Sequence, residues 1–475
     1  MDTACAQCEQ SANQSIKLDD SNIPLLHSFI VLRKEHFGGF IFNPYLPPET
    51  RLDHVRFGVA EMCDGTYTVG EIKKAVARKL NHSEEYIDMI VNKTINSFND
   101  KYAISLQEEK LKKPMDFGFS EGAKARSDRI LSAPLFVIWE ITGLCNLRCE
   151  HCLSSAGETL PNELSTEEAM RLLDSLEAMK VFNINFSGGE PLMRADIFDL
   201  INYASQKKFS IDLLTNGALI TEKVLDRLED SNIFNVQVSI DGIGETHDMF
   251  RGRKGTYERA INAIKLLKDA NYNVSISSTV TKQNMSEIPQ IIDMAIDLGI
   301  PFFKTTLFMP AGRGKGNIDK LVLTRQDTKD FTYMMIEKKK EVGKSIIIAS
   351  ETEYPWLVEG LDKKRLESMK LDDSSKIGCT AGSSSLYITP DGKIAPCPFL
   401  RDLIAGDLRE SNIREIWDIS PTFDIFRNIT RGSLKGKCSN CEYLGIMCYG
   451  GCRAAALAHT GDLYAEDPMC WRDLA

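Results

Sequence analysis

The sequence predicts an α/β protein built on a partial barrel of six β/α repeats, flanked by an N-terminal α+β domain and a cysteine-rich C-terminal domain. Two observations carry this. From Pro134 to about Ile347, β-type runs such as Phe136-Val-Ile-Trp-Glu-Ile and Val181-Phe-Asn-Ile-Asn-Phe alternate with amphipathic helical runs such as Thr166 to Met179, as parallel strands with helical crossovers require. The cysteines are also unevenly spread: of 13, three lie at 145–152, seven at 379–470, and only Cys5, Cys8 and Cys63 elsewhere.

Length and composition agree with several domains. At ~150 residues per domain, 475 residues suggest about three. Hydrophobic residues are 43% and charged residues 26%, the balance of a globular chain, and no apolar run reaches the length of a membrane span. Met1-Asp-Thr-Ala-Cys-Ala-Gln-Cys has no basic stretch followed by an apolar one, so a cytoplasmic location is expected. With 57 basic against 67 acidic residues, a net charge of -10 and no basic block, nucleic acid is a poor candidate partner. Thiols of a cytosolic chain are read as metal ligands or redox groups before disulfides.

Residues 1–19 are polar and aperiodic and read as a flexible tail; the Cys5/Cys8 pair in it has no second pair to complete a metal site. Residues 20–107 form the α+β domain. Strands are expected at Ser28-Phe-Ile-Val-Leu and Gly39-Phe-Ile-Phe. A helix around Phe57 to Met62 leads to an Asp64-Gly65 turn, and Thr68 caps a second helix carrying Ile72, Val76 and Leu80. Helix-turn-helix units often read DNA, but this second helix offers only Lys73, Lys74, Arg78 and Lys79. Residues 108–133, with Pro114, Gly118 and Gly122, read as a linker to the barrel at 134–347; the C-terminal domain is 348–475.

Chemistry in such barrels sits on loops after the strands. After the first strand comes Cys145-x3-Cys149-x2-Cys152, three thiolates on one loop, a ligand set that leaves one iron of an iron-sulfur cubane open. Zinc would need a fourth ligand, and only His151 is local. The second strand ends in Ser187-Gly188-Gly189-Glu190-Pro191 and the third in Thr215-Asn216-Gly217. The fourth ends in Ser239-Ile-Asp241-Gly, followed by His247-Asp248 and Arg251-Gly252. Four motifs in this order on successive strands resemble the radical S-adenosylmethionine superfamily.

The resemblance implies a 4Fe-4S cluster on Cys145, Cys149 and Cys152 whose open iron chelates S-adenosylmethionine, with release of a 5′-deoxyadenosyl radical. It also implies cofactor contacts from Ser187, Gly188, Gly189, Glu190, Asn216, Ser239, Asp241 and Arg251. Glu190 would accept from the methionine ammonium, Ser239 and Asp241 would meet the ribose, and Arg251 the carboxylate. Glycines at 188 and 189 suit a close backbone approach.

Downstream, Cys379-x12-Gly392-x4-Cys397 and Cys438-x2-Cys441-x6-Cys448-x3-Cys452 with Cys470 resemble the SPASM domain of peptide-modifying radical enzymes, with six residues in place of the usual five before Cys448. The family's ligation implies two auxiliary clusters. Cys438, Cys441, Cys448 and Cys470 would hold the distal one, leaving Cys379, Cys397 and Cys452 for the nearer one, with an open iron or a non-cysteine ligand there. A zinc ribbon is the alternative.

Residues 20–107 resemble the winged helix-turn-helix-like precursor-peptide recognition domain typified by the pyrroloquinoline quinone peptide chaperone, which takes a leader peptide as an added strand; Phe40 to Phe42 is the expected edge. Together these features resemble peptide maturases that form a thioether or carbon-carbon crosslink, or decarboxylate oxidatively. The implied partners are a precursor peptide, held through its leader, and a flavodoxin- or ferredoxin-type reductant. Cys448-Tyr-Gly-Gly-Cys452 and Asp467-Pro-Met-Cys470 are also similar to haem-pathway enzymes acting on small molecules. A non-enzymatic electron carrier or peptide-binding scaffold is the reading of another class.

Overall fold

A computed structural model describes residues 17–80, 82–117, 130–350, 354–359 and 373–474. The Cys5/Cys8 pair lies outside them. The chain divides into two compact units: one of residues up to 133 with Leu176–Asn183 and Gln206–Ser210, the other of the remainder to the C-terminus.

In the first unit β1 (Ile23–Leu26) pairs antiparallel with β5 (Ile104–Gln107), while β2 (Val31–Glu35), β3 (Gly38–Phe42) and β4 (Thr50–Asp53) form a second antiparallel sheet. Helices α1 (His54–Met62), α2 (Val69–Lys79) and α3 (Glu84–Asn99) pack on it around Leu32, Ile41, Phe57, Ile72, Val91, Ile95 and Phe98. The helix, turn, helix expectation is met. Asp64 Oδ1 accepts from the Thr66 amide at 2.8 Å to shape the turn, and Thr68 and Glu71 close a reciprocal capping box that starts α2.

Two expectations change. The strand expected from Ser28 is β2 and begins at Val31, with Ser28 and Phe29 in the preceding turn. Phe40 to Phe42 is not an edge: β3 is the central strand, bonded to β2 on one side and β4 on the other, so the sheet's edges are β2 and β4. A Cβ on Gly39 would meet the Phe57 ring at 2.3 Å, so β3 lies flat against α1 where no side chain fits.

The second unit contains the barrel. Parallel strands β6 (Phe136–Glu140), β7 (Asn183–Ser187), β8 (Ser210–Thr215), β9 (Ile233–Ser239), β10 (Val274–Val280) and β11 (Phe302–Leu307) lie side by side in sequence order. Helices α4 (Thr166–Ala178), α5 (Ile197–Ser205), α6 (Glu222–Leu228), α7 (Glu245–Arg251), α8 (Thr256–Asp269), α9 (Ile288–Asp297), α10 (Ile318–Leu321) and α11 (Arg325–Val342) provide the crossovers. Period-two alternation sorts the side chains. Trp139, Ile184, Phe186, Leu213, Val236, Val238, Ile276 and Phe303 are fully buried on one face, each stabilising by about 1.5–3 kcal/mol. Asn185, Ser187, Gln237, Ser239, Ser277 and Lys304 alternate with them and are half-buried.

The parallel array extends past six strands. β12 (Ile347–Ser350) adds parallel to β11, and at the other end β13 (Ser385–Ile388) adds parallel to β6, followed by antiparallel β14 (Lys393–Ala395) and β15 (Gly406–Asp407). The cysteine-rich segment therefore begins inside the barrel's own ten-stranded sheet. Among the described residues no helix is long and apolar enough to cross a membrane.

Candidate active site

The loop after β6 carries Cys145 and Cys149, each 8% exposed, which pack with Leu147, Ala156 and half-buried Cys152. Burial pushes the Cys145 thiol up to about 11 and raises that of Cys149 as well, with the Arg251 guanidinium pulling the latter back. Such thiols stay protonated at neutral pH until a cation takes the proton's place. Three sulfurs in one apolar nest suit the three-thiolate face of a cubane. His151, the local zinc-ligand candidate, has its Nε2 3.3 Å from Asp241 Oδ2.

The second loop is pressed against the first. Gly189 N donates to Thr142 O at 2.7 Å and Glu190 N to Leu144 O at 2.8 Å. A Cβ on Gly188, where φ is +146°, would lie 2.7 Å from Thr142 O, and one on Gly189 would lie 2.3 Å from Leu144 O. The glycines thus serve contact between two backbones of this chain, a reason the motif alone does not reveal. Glu190 is fully buried. Its carboxylate accepts from Thr215 Oγ1 and the Asn216 amide, both at 2.8 Å, and from the Leu192 amide at 3.3 Å. A carboxylate offers about four acceptor directions, so one stays open to a cationic donor. Asn216 Nδ2 donates to Asn146 Oδ1 at 2.8 Å, tying the third loop to the cysteine loop.

The fourth strand's motif forms a buried ion cluster. Asp241 Oδ2 is 2.5 Å from Arg251 Nη2, its Oδ1 accepts from the Thr279 amide at 2.8 Å, and Arg251 Nη1 reaches the Cys149 sulfur at 3.9 Å. Burial is the largest influence and would raise the Asp241 carboxyl, but Arg251, His151, His247 and the Thr279 amide together hold the group below its ordinary value. Ser239 is half-buried at the end of β9. Within the chain Asp241 and Arg251 contact each other and the cysteine loop, and Asp241 also bonds Thr279, His247 and Asn284.

His247 Nδ1 accepts from the Asp241 amide at 3.2 Å, and burial pushes its pKa down to about 4. Unfolding would free this imidazole to protonate near pH 6.5, so between that pH and about 4 the unfolded chain binds the extra proton and stability falls as pH falls. The loss amounts to up to about 3 kcal/mol across the window. Thermal midpoints measured from about pH 7 to about pH 5 should drop, and His247→Gln should flatten part of the slope. His151, also pushed down to about 4 by burial, supplies the remainder.

Residues that motif reading missed complete the loop's support. Arg313, after β11, donates from Nη1 to Cys149 O at 2.8 Å and from Nη2 to Ala156 O at 2.7 Å, and Asn317 Nδ2 donates to Glu150 O at 3.0 Å. Glycine is required at 312, where φ is +51° and a Cβ would meet Leu153 O at 2.3 Å. The basic and glycine-rich run Gly312-Arg-Gly-Lys-Gly-Asn was the available signal.

The seven C-terminal cysteines fall into two sets. Cys438, Cys441, Cys448 and Cys470 line one cavity together with Tyr354 and Asp467. Cys379 and Cys452 act electrostatically on Cys397, Cys379 acts on Cys452 as well, and Cys379 is exposed. Burial raises Cys448 and Cys452 to about 12 and Cys470 to about 11. Asp467 accepts from the Cys452 amide at 2.9 Å and the Tyr354 hydroxyl at 3.0 Å on Oδ2, and from the Met469 amide at 2.9 Å on Oδ1. Among the described residues no three His, Cys, Asp or Glu side chains close on a single metal-ion position. Four thiols around a cavity are a donor set that fits an iron-sulfur cluster. Cys63 belongs to neither set; it is fully buried in the first unit, which raises its thiol.

A six-fold β/α barrel with a three-cysteine loop after its first strand defines a class, the radical S-adenosylmethionine enzymes. Residues 139–295 match the Radical SAM superfamily model and residues 379–442 the SPASM iron-sulfur cluster-binding domain. The chain is 32% identical over 345 residues to the AdoMet-dependent heme synthase of Methanosarcina barkeri, covering 71% of this chain and 97% of that one. It is 33% identical over 350 residues to the mycofactocin maturase MftC of Mycolicibacterium smegmatis, covering 72% and 84%. Its fold is similar to that of Streptococcus suis SuiB bound to S-adenosylmethionine, with a TM-score of 0.65 over 94% of this chain and 99% of that one at 18% identity.

The chain belongs to the radical S-adenosylmethionine superfamily and is an enzyme of its SPASM-bearing branch. Its cofactors are a 4Fe-4S cluster with S-adenosylmethionine, and the SPASM domain binds additional iron-sulfur clusters.

Proposed function

We propose that the enzyme is a maturase that modifies a ribosomally made precursor peptide. The observation that carries this reading is the N-terminal sheet-and-helix unit. Likeness to SuiB, whose structure is also known bound to the precursor peptide SuiA, extends over 94% of the chain and so takes in this unit. A leader would add as a strand to an open sheet edge, β2 or β4, in place of the strand Phe40 to Phe42.

When bound, the cluster and S-adenosylmethionine supply a 5′-deoxyadenosyl radical able to take hydrogen from an unactivated carbon. The chain's residues bind and orient. Cys145, Cys149 and Cys152 would hold the cluster; Ser187, Gly188, Gly189, Glu190, Asn216, Ser239, Asp241 and Arg251 would form the surroundings of the methionine and ribose ends. Cys438, Cys441, Cys448 and Cys470 would ligate the distal auxiliary cluster, and Cys379, Cys397 and Cys452 the nearer one. Exposed Cys379 makes that nearer set accessible to a substrate thiolate, which favours thioether formation over a carbon-carbon crosslink or oxidative decarboxylation. A flavodoxin- or ferredoxin-type protein would supply electrons.

A second reading, haem or other cofactor biosynthesis on a small molecule, is favoured by the 32% identity to the heme synthase. The test is anaerobic turnover of the reconstituted enzyme with any short peptide found encoded beside its gene, and in parallel with an iron coproporphyrin. Deoxyadenosine formation with a mass change in the peptide supports the maturase; a mass change in the porphyrin alone overturns it.

A further inference from the structure

Three ionisable side chains outside the cofactor motifs meet where β6 and β13 run side by side. Glu140 ends β6, Tyr387 lies on β13, and Arg401 closes the short turn Pro398–Leu400 that follows Cys397. The parallel register sets Tyr387 beside Ile138, so it shares the sheet face of Ile138 and Glu140. The Tyr387 hydroxyl donates to Glu140 Oε2, and Arg401 Nη2 lies 3.2 Å from the same oxygen. Glu140 and Tyr387 are 3% and 2% exposed.

Each end of this network touches a cysteine site. Ser154 hydrogen-bonds Glu140, and Ser154 Oγ is 3.6 Å from Cys152 Sγ. Cys152 acts electrostatically on both Tyr387 and Arg401. At the other end Arg401 is four residues from Cys397, joined to it by one turn of chain. Stability does not explain such a network, because a buried ion pair is often no more stable than apolar residues of the same volume.

We propose that Glu140, Tyr387 and Arg401 form a charge bridge between the Cys152 loop and the Cys397 turn. The bridge holds the two segments in place and sets the reduction potential of the cluster on Cys145, Cys149 and Cys152. This rests on the ligand assignment proposed above. Cluster potentials follow net charge and polar contacts near the sulfurs. Reduction adds a negative charge. The Arg401 cation stabilises the reduced form, and the Glu140 carboxylate opposes it. Removing one or the other moves the potential in opposite directions.

The test is a redox titration of the full-length, anaerobically reconstituted protein, followed by electron paramagnetic resonance after iron and sulfide are counted. Arg401→Met is expected to lower the reduced-to-oxidised ratio at a fixed potential about tenfold, or ~59 mV for one electron. Glu140→Gln is expected to raise the ratio severalfold, and Arg401→Lys, which keeps the charge, to stay near the parent. Should Arg401→Met fail to fold, the Glu140→Gln and Arg401→Lys pair carries the same comparison. Unmoved potentials with iron retained, or shifts of the same sign in both charge-removing variants, overturn the bridge. A Cys149→Ala variant that keeps the parent's full iron and sulfide per chain instead overturns the ligand assignment beneath it.

Discussion

Replacing Cys149 with alanine is expected to abolish deoxyadenosine formation while leaving the fold and the C-terminal iron in place. The side chain loses one sulfur from a nest shared with Cys145, Cys152, Leu147 and Ala156. The loop's backbone bonds do not use that sulfur: Cys152 N still donates to Cys149 O at 3.3 Å, and Arg313 still donates to the same oxygen. Deleting one buried atom of about methyl size costs roughly 0.5–1.5 kcal/mol in stability. Two thiolates remain on the loop, too few for the three-point hold that a cubane with one open iron needs. Iron per chain should fall by one cluster's share, and chromatography should find no deoxyadenosine. Turnover at the parent rate would remove Cys149 from the ligand set.

Gly189→Ala is expected to damage the same loop without touching a ligand. The new Cβ would lie 2.3 Å from Leu144 O, 2.7 Å from Leu144 C and 2.8 Å from Gly143 O, all backbone atoms of the cysteine loop. Side-chain rotation cannot relieve a clash with backbone, so the two loops must separate. Separation sacrifices the bonds from Gly189 N to Thr142 O and from Glu190 N to Leu144 O. Overpacking and lost hydrogen bonds together amount to about 2–4 kcal/mol. A fall in the unfolding midpoint and lower iron loading of the variant would report it. Gly58→Ala is the control. Nothing lies within 4 Å of its added Cβ, and alanine favours helix α1 by up to about 1 kcal/mol.

The same contacts explain how far the sequence could be read. Cys145, Cys149 and Cys152 declare themselves because all three belong to one short loop, where spacing alone brings the sulfurs together. Thr68 and Glu71 do so for the same reason, since a capping box closes over three residues. The six barrel strands are readable because each carries its own alternation and its own following helix.

Contacts distant in sequence are different. Nothing near Phe40 indicates that β3 will be flanked on both sides, because pairing partners are chosen by the whole sheet. Nor does Arg313 announce the carbonyls of Cys149 and Ala156, more than 150 residues earlier. Motif reading aimed Gly188, Gly189, Glu190, Asp241 and Arg251 at the cofactor; each also packs against or bonds another loop of the chain, and only the tertiary structure reveals that second duty.

By itself, then, the sequence determined the α/β class, the three-cysteine loop and the seven C-terminal cysteines, because local spacing and periodicity encode them. Tertiary structure alone decided that β13 joins the barrel at β6, that four of those cysteines share one cavity, and that Glu140, Tyr387 and Arg401 meet. The physical reason is chain closure: such neighbours are selected by burial and hydrogen bonding across hundreds of residues, where no local pattern records the partner.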